Sequence, residues 1–231
     1  MNFKKVDGTF LHGINLNNWY PCWNFTLTGR LVSANFLPLM DSAFSKQKRI
    51  EDISMDELKL NPSCFTGTLT PRAMWYVWAA SIIRSGGHVG IGDVNTKWLG
   101  KDEMSEILRI GDAELELEKI RREVAPDSCS RLGCLWVADD SEEGATNIRS
   151  MLGSSVYIAK VCIPSASKFT RVDRSYFDLF IESMNVKYGE QYWLGQKYGD
   201  NNTWEYLVDG IIESVSDSDR LNIKKHGQNI F

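Results

Sequence analysis

The chain has 231 residues, of which 43% are hydrophobic and 24% charged, a composition typical of a globular protein and unlike that of disordered or fibrous chains. This length fits a single domain, since larger chains tend to divide. The formal net charge of −4, without a long basic block, argues against strong attraction to nucleic acid or to a membrane, so we expect neither as a partner.

Cysteine and histidine usage bounds the chemistry further. The five cysteines are widely spread and never spaced CxxC, and the three histidines are isolated, so we expect neither a disulfide framework nor a metal site. No apolar run approaches the ~20 residues that cross a bilayer, and the start MNFKKVDGTF lacks the apolar core of a signal peptide. The sequence therefore predicts a monomer with reduced thiols in a cytosol.

The first sixty residues predict a strand, an aromatic segment and a broken helix. Val6 to Asn18 is typical of a short strand that runs into a loop. The aromatic cluster Trp19–Phe25 is too irregular for a helix, and it indicates either core anchors under a loop or a wall for a flat ligand ring. Phe36 to Leu60 is predicted to be broken helix, with Asp41 as a cap and MDELKL as a short helical turn.

Two longer helices follow. Thr70-Pro71 before RAMWYVWAASIIR predicts a helix start, because proline fits the first turn, where its missing N–H is not needed. A second helix is predicted from Lys101 to Val124, which carries Glu, Lys and Arg at spacings of three and four.

The pattern changes after Pro126, where strands alternate with short helices. Strands are predicted at Leu132–Ala138, Ser155–Ile163 and Trp204–Val215, and helices at Glu142–Met151 and Asp173–Asn185. Such a sequence favours an α+β domain with a mainly antiparallel sheet over a doubly wound one.

Three patches beside predicted strands carry candidate site residues, while the GxSxG, HExxH and Walker-type signatures are missing. The first patch is His12-Gly13, where a neutral imidazole can bind a ribose hydroxyl and a glycine lets a ligand approach the backbone. The second is Ser130-Arg131, interpreted either as a turn residue and a surface ion-pair partner or as groups that steady a ribose or pyrophosphate.

The third patch contains Tyr192 and, after a polar loop, Thr203-Trp204-Glu205-Tyr206. A carboxylate between two aromatic residues at the head of an apolar strand is costly to bury unless a ligand or a cation pairs with it. The alternative is that strand alternation places Glu205 on the solvent face.

In order and spacing, these patches resemble the ADP-ribosyltransferase fold of the diphtheria-toxin and poly(ADP-ribose) polymerase type. In that group an early strand carries His-Gly and a late strand carries the catalytic Glu, often written NEYxV. Here FLHG matches the first element, LWVADDSEEGA loosely matches the middle strand and helix, and TWEYLV matches the last. The segment from Ile120 to Val215 is also similar to a poorly characterised bacterial family with PSR…LF, YW.G and E.LV.G blocks.

The resemblance implies a fold and a set of site residues. The fold is an α+β domain over residues 1–231 with a split antiparallel β-sheet, NAD between its halves, and a helical insertion or lobe at about 35–124. Glu205 is the catalytic carboxylate, and the donor-binding residues are His12, Gly13, Ser130 and Arg131. At the position of the group's nicotinamide-stacking Tyr this chain has Leu135, so Trp136 or Tyr192 takes that role.

The resemblance also implies a function, mono-ADP-ribosyl transfer from NAD to a protein side chain. Because Thr203 stands where arginine-modifying members carry a second acid or Gln, Ser, Thr, Asp and Glu acceptors stay open. By analogy the protein is a bacterial effector or toxin secreted directly into a host cytosol, and its target is a host protein such as ubiquitin or a GTPase. An NAD hydrolase, an RNA 2′-phosphotransferase and an inactive protein-binding module are the alternatives.

Overall fold

The computed structural model describes residues 3–91, 97–153, 156–200 and 202–227, which fold as an α+β structure. The strands are β1 (Lys4–Asn15), β2 (Arg30–Val32), β3 (Gly90–Ile91), β4 (Lys97–Trp98), β5 (Leu135–Asp139), β6 (Val156–Asp173) and β7 (Trp204–Ser214). The helices are α1 (Trp19–Thr28), α2 (Leu37–Met40), α3 (Met55–Leu60), α4 (Pro71–Arg84), α5 (Lys101–Val124), α6 (Glu142–Leu152), α7 (Arg174–Ser183), α8 (Val186–Trp193) and α9 (Asp217–His226).

The main sheet is antiparallel and closes on itself. Its strand order is β2-β7-β5-β1-β6, and β7 also pairs with β6, so that β7, β5, β1 and β6 form a ring. β5 and β2 share one edge of β7, with Leu135–Val137 against Tyr206–Val208 and Arg30–Val32 against Ile211–Glu213. Closure leaves these four strands with few unpaired backbone groups.

The length of β6 makes this closure possible. β6 pairs with β1 from Val156 to Ala166 and with β7 from Val161 to Asp173. Its register against β7 shifts between Cys162 and Ser165, on either side of Pro164, and again before Lys168. Proline has no N–H to donate to a ladder, and an irregularity of this kind bends a strand and increases its twist. β6 therefore turns from one neighbour to the other.

The two faces of the sheet bury different cores. Alternate residues of the ring point inward and form one apolar cluster, which Phe25 of α1 and Ile223 of α9 complete. The strand residues of that cluster are Phe10, Ile14, Val137, Ala159, Val161, Ile163, Ala166, Val208 and Ile212. On the outer face, α5, α7 and α8 pack against Val172 and Leu207. α6 covers Leu11 and Ala138 through Ile148.

Between β2 and β5 the described chain is helical apart from the β3–β4 hairpin. α3, α4 and α5 share a core that includes Leu58, Val77 and Leu115. Farther along, α5 also contributes Leu117 and Ile120 to the core against α7 and α8. The helical segment and the sheet are thus joined through α5.

Several predicted elements are confirmed with their caps. α4 begins at Pro71, and the Thr70 hydroxyl accepts a hydrogen bond from the Ala73 amide at 3.1 Å. α5 has the predicted bounds, MDELKL forms α3, and Asp41 caps the short turn that follows it by accepting from the Ala43 amide. The α+β class and the antiparallel sheet are confirmed as well.

The prediction that Trp19–Phe25 is too irregular for a helix is wrong, because these residues lie in α1. Cys22 and Phe25 face the core, whereas Trp19 and Tyr20 face outward. Since both sides of this helix carry apolar residues, its sequence shows no amphipathic period.

Other differences concern elements whose stability depends on distant partners. β2, α8 and α9 were not predicted, and β6 continues ten residues beyond its predicted end at Ile163. β5 begins at Leu135 and not at Leu132, because Ser130–Gly133 form a turn closed by the Gly133 amide on the Ser130 carbonyl.

Over the described ranges, no helix is both long and apolar enough to cross a bilayer. The same residues contain no group of three or more His, Cys, Asp or Glu side chains that is arranged to hold a metal ion.

Candidate functional site

Glu205, the second residue of β7, is buried, with 6% of its surface exposed. Its Oε1 atom accepts hydrogen bonds from Arg131 Nη1 at 2.5 Å and from the Tyr192 hydroxyl at 2.6 Å. The solvent-face alternative for Glu205 is therefore wrong, and the cation that the sequence argument required is Arg131. Alternation along β7 places Glu205 beside Leu207 on the outer face of the sheet.

Arg131 lies in the turn before β5 and is 3% exposed, so its interpretation as a surface ion-pair partner is wrong. Its guanidinium contacts the Glu114 carboxylate, with 3.3 Å between Nε and Oε2. The Phe177 and Trp136 rings lie 3.8 and 4.2 Å from the guanidinium carbon, measured to the ring centroids. Although burial disfavours the charge, Tyr192, Glu114 and Glu205 raise the pKa of Arg131 well above its usual value.

The cluster continues to the protein surface through α5 and α4. Glu114 of α5 also pairs with Arg72 of α4, which lies over the Trp136 ring at 5.3 Å. Burial raises the pKa of Glu114, but Arg131 and Arg72 lower it by more, so this carboxyl is ionised. Burial raises the pKa of Tyr192 far above its usual value, so the phenol stays neutral and donates to Glu205. We name Arg72, Glu114, Arg131, Tyr192 and Glu205 the Glu205 cluster.

One donor and one acceptor of the Glu205 cluster have no partner among the described residues. They are Arg131 Nη2 and Glu205 Oε2, both buried. Such groups cost about 1–3 kcal/mol each when left unsatisfied. The ion pair between Arg131 and Glu205 uses Nη1 and Oε1. Glu205 Oε2 is left to accept from a hydroxyl of a bound molecule, and Arg131 Nη2 is left to donate to a hydroxyl or carbonyl.

The sheet places His12 on the opposite face from Glu205. His12 pairs with Ala159 of the inner core, whereas Leu11, which pairs with Ala138, belongs to the outer face. Because cross-strand partners share a face, Trp136 and Leu207 lie on the side of Glu205. The structure therefore does not bring the His12 side chain to the carboxylate.

His12 is nevertheless connected to the cluster through the backbone of β5. Its Nδ1 atom donates to the Trp136 carbonyl at 2.6 Å, because a carbonyl can only accept. Burial lowers the pKa of His12, which keeps the ring neutral and leaves the lone pair on Nε2.

Gly13 and Ser130 have structural roles in this arrangement. A Cβ at Gly13 would lie 2.6 Å from side-chain atoms of Ile148 and Leu152, so glycine lets α6 pack on β1. Ser130 donates its hydroxyl to Glu118 Oε2 at 2.8 Å and is buried in the turn that carries Arg131. Their donor-binding roles stay predictions.

Arg72 and Glu114 lie in α4 and α5, outside the three patches singled out in the sequence, and no motif predicted a role for them. A signal existed in α5, where Glu114, Glu118 and Arg121 follow one another at helical spacing on its buried side. Charges repeated along a buried helix face indicate partners elsewhere in the fold.

A polar cavity of about 370 Å³ lies where β5 passes into α6 and β7 begins. Its lining includes Asp139, Glu143, Asp200 and Trp204. Trp204 precedes Glu205 in β7 and points to the other face, and Glu205 is not among the residues that line the cavity.

The comparison with protein families matches residues 94–220, more than half of the chain, to a family described as a protein of unknown function, DUF2441. The chain belongs to the DUF2441 family. The match includes Glu114, Arg131, Tyr192 and Glu205 but begins after His12 and Arg72. Membership in DUF2441 therefore assigns no activity to the cluster. No curated protein matches the chain.

Proposed function

We propose that the protein transfers ADP-ribose from NAD to a side chain of another protein, with Glu205 as the catalytic carboxylate. The observation that carries the proposal is a carboxylate at the head of an antiparallel strand, held through Oε1 by Arg131 and Tyr192, with Oε2 unpaired. The α+β class, the antiparallel sheet and the order of the His-Gly and Glu motifs are compatible with an ADP-ribosyltransferase core, although the sheet closes into a ring where a split sheet was predicted.

The chemistry of this transfer suits a fixed carboxylate. The bond between the ribose C1′ atom and nicotinamide breaks, nicotinamide leaves with the bonding electrons, and the ribose acquires oxocarbenium character. A preorganised negative charge nearby stabilises that state. The acceptor side chain then forms the new bond at C1′; a hydroxyl acceptor gives its proton to water, and an ionised carboxylate acceptor has none to lose. Arg131 and Tyr192 hold Glu205 in place, so the carboxylate does not reorient during the reaction.

The proposal requires access to Glu205 Oε2, which the present arrangement restricts. Arg72 is the outermost member of the Glu205 cluster, with 36% of its side chain exposed, and it covers the Trp136 ring. Movement of Arg72 and Trp136 would open a path from solvent to the carboxylate. NAD binding is accordingly coupled to a side-chain rearrangement at the start of α4.

Two observations favour a second candidate, an inactive protein-binding module on the same fold. Glu205 is already neutralised by Arg131, and His12 faces the other side of the sheet. In a buried ion pair each charge offsets the desolvation cost of the other, so no bound ligand is needed to explain why these two charges are buried. An NAD hydrolase would differ from the transferase only in using water as acceptor.

The deciding experiment incubates the purified chain with NAD carrying a labelled adenosine group and with a cell lysate. Transferase activity releases nicotinamide and labels a macromolecule, hydrolase activity releases nicotinamide alone, and an inactive module does neither. Glu205→Gln should lower transfer by ~10²-fold or more, the scale of losing one preorganised electrostatic group.

Glu213→Gln is the matched control, because Glu213 lies on the same strand in an exposed pair with Arg30. Thermal melts of both variants separate lost activity from lost folding. Parent-level transfer by a folded Glu205→Gln variant would remove the main support for the proposal.

A further inference from the structure

The outer side of α1 carries an unusual concentration of exposed apolar side chains. Trp19, Tyr20, Trp23 and Leu27 share one side of this helix, opposite the buried Cys22 and Phe25. The exposed fractions of Trp19, Tyr20 and Leu27 are 44%, 54% and 55%. A contiguous apolar patch of this kind indicates an interaction surface.

α9 extends this patch and adds positive charge. A groove of about 840 Å³ separates the two helices, with Trp23 and Leu27 on one side and Leu221 and Lys224 on the other. Leu221 is 66% exposed. We name Trp19, Tyr20, Trp23, Leu27, Leu221, Lys224 and Lys225 the α1–α9 surface.

α1 and α9 pack so that the end of α1 that carries the aromatic residues lies beside the basic end of α9. Arg220 Nη2 donates to the carbonyls of Thr26 and Leu27, near the end of α1. Gly227, just after α9, lies against Cys22 in the first half of α1. The last turn of α9, with the exposed Lys224 and Lys225, is therefore beside the half of α1 that carries Trp19 and Tyr20.

We propose that the α1–α9 surface binds a bilayer containing anionic phospholipid. Trp and Tyr rings favour the boundary between headgroups and acyl chains, because each combines an apolar ring with a polar N–H or O–H. Leu27 and Leu221 add apolar contact, and the two lysines lie against the headgroups. Asp217, the acid in the groove, is engaged by Arg220 on the same helix.

The net charge of −4 predicts no membrane partner, but this contact depends on the charges nearest the bilayer. Charges separated by more than ~8 Å are largely screened at physiological salt, so the groups nearest the bilayer dominate its electrostatic attraction.

The test is sedimentation of the full chain with phosphatidylcholine vesicles, with and without phosphatidylserine, at low and high salt. We expect binding that increases with phosphatidylserine and falls with salt. The double variant Trp19→Ala, Leu27→Ala should lower the partition coefficient about tenfold or more, by removing inserted apolar area. Lys224→Glu with Lys225→Glu should lower it about fivefold or more for each lysine, only on vesicles with phosphatidylserine.

The matched control is Trp98→Ala with Leu60→Ala, which removes a tryptophan and a leucine of equal or greater exposure from β4 and α3. This variant should bind like the parent, and all variants should melt like it. The proposal is overturned if the parent does not sediment with vesicles, or if the control loses as much binding as the α1–α9 variants. It is also overturned if analytical ultracentrifugation shows a dimer that Trp19→Ala, Leu27→Ala dissociates, because a second copy then covers this surface. None of these outcomes depends on transferase activity.

Discussion

At the residue scale, the Glu205 cluster is held together by mutual neutralisation of buried charges. The side chains of Arg131 and Glu114 are each 2% exposed, and that of Glu205 is 8% exposed. Taking such charges out of water is expensive, and each partner offsets the cost for the others. Removing the central cation therefore leaves two carboxylates without their main counter-charge.

Arg131→Met should lower the free energy of unfolding by about 3–5 kcal/mol, measured by urea denaturation. Arg30→Met is the matched control, because Arg30 forms an exposed pair with Glu213 and should cost only ~0–1 kcal/mol. Equal stability of Arg131→Met and the parent would show that solvent reaches the cluster in solution.

Gly13 gives a second residue-scale prediction. Gly13→Ala should lower stability by about 1–3 kcal/mol, because the new methyl group overlaps Ile148 and Leu152 of α6. Gly100→Ala is the comparison, since the nearest atom to its new Cβ is 3.6 Å away, and it should cost only about 0.5–1 kcal/mol, the scale of a weakened N-cap. If Gly13→Ala melts like the parent but loses NAD binding, the packing explanation fails and the donor-binding one gains.

At the scale of elements, Asp173 connects the end of β6 to the start of β7. Its Oδ1 atom accepts from the amides of Ser175 and Thr203, at 3.0 and 3.1 Å, and its Oδ2 atom accepts from Tyr198 at 2.8 Å. One buried carboxylate thus caps α7 and also holds the loop that leads into Glu205.

Asp173→Ala should therefore cost about 3 kcal/mol or more, since hydrogen bonds to a charged group contribute ~1.5–3 kcal/mol each. Asn185→Ala removes the N-cap of the neighbouring helix α8 and should cost about 1 kcal/mol. Hydrogen exchange at the Thr203 and Tyr198 amides provides a local measurement. Unchanged protection in Asp173→Ala would mean that other contacts hold this loop.

At the scale of the whole molecule, burial of titratable groups makes stability depend on pH. Burial lowers the pKa of His12 below 6.5. Below that pH the unfolded state therefore binds more protons than the folded state, and the free energy of unfolding falls as pH is lowered. Burial by itself would raise the pKa of Glu51, but the hydrogen bond and charge of Lys168 and the charge of Arg49 lower it by a larger amount, so the pKa is about 2. The stability that ionised Glu51 contributes is present above pH 4.5 and is lost as pH falls from 4.5 towards about 2.

Urea unfolding over a pH series should therefore show stability falling below pH 6.5 and falling again below pH 4.5. His12→Asn, whose amide can still donate to the Trp136 carbonyl, should flatten the upper part of the profile. Glu51→Gln should reduce the slope of the lower part, to which other carboxyl groups with lowered pKa values, such as Glu114, also contribute. An unaltered upper slope in His12→Asn would assign that pH dependence to another group.

Local rules in the sequence predicted the elements that depend on neighbours within a few residues. The Thr70-Pro71 start of α4 and the spacing of α5 are of this kind, since capping and helical periodicity act over one or two turns. The cost of burying a charge likewise identified Glu205 as a candidate from the sequence, but it did not identify Arg131 as its partner.

The tertiary structure alone decided how these pieces meet. The pairing of β6 with β7 closes the sheet and sets which face each side chain takes, and this separates His12 from Glu205. The contacts within the Glu205 cluster join residues 13 to 74 positions apart, as in Tyr192–Glu205 and Arg131–Glu205. Each contact depends on long-range register, which a local sequence pattern does not contain. The helical structure of α1 also depends on tertiary packing, because both of its sides are apolar and only one of them faces the core.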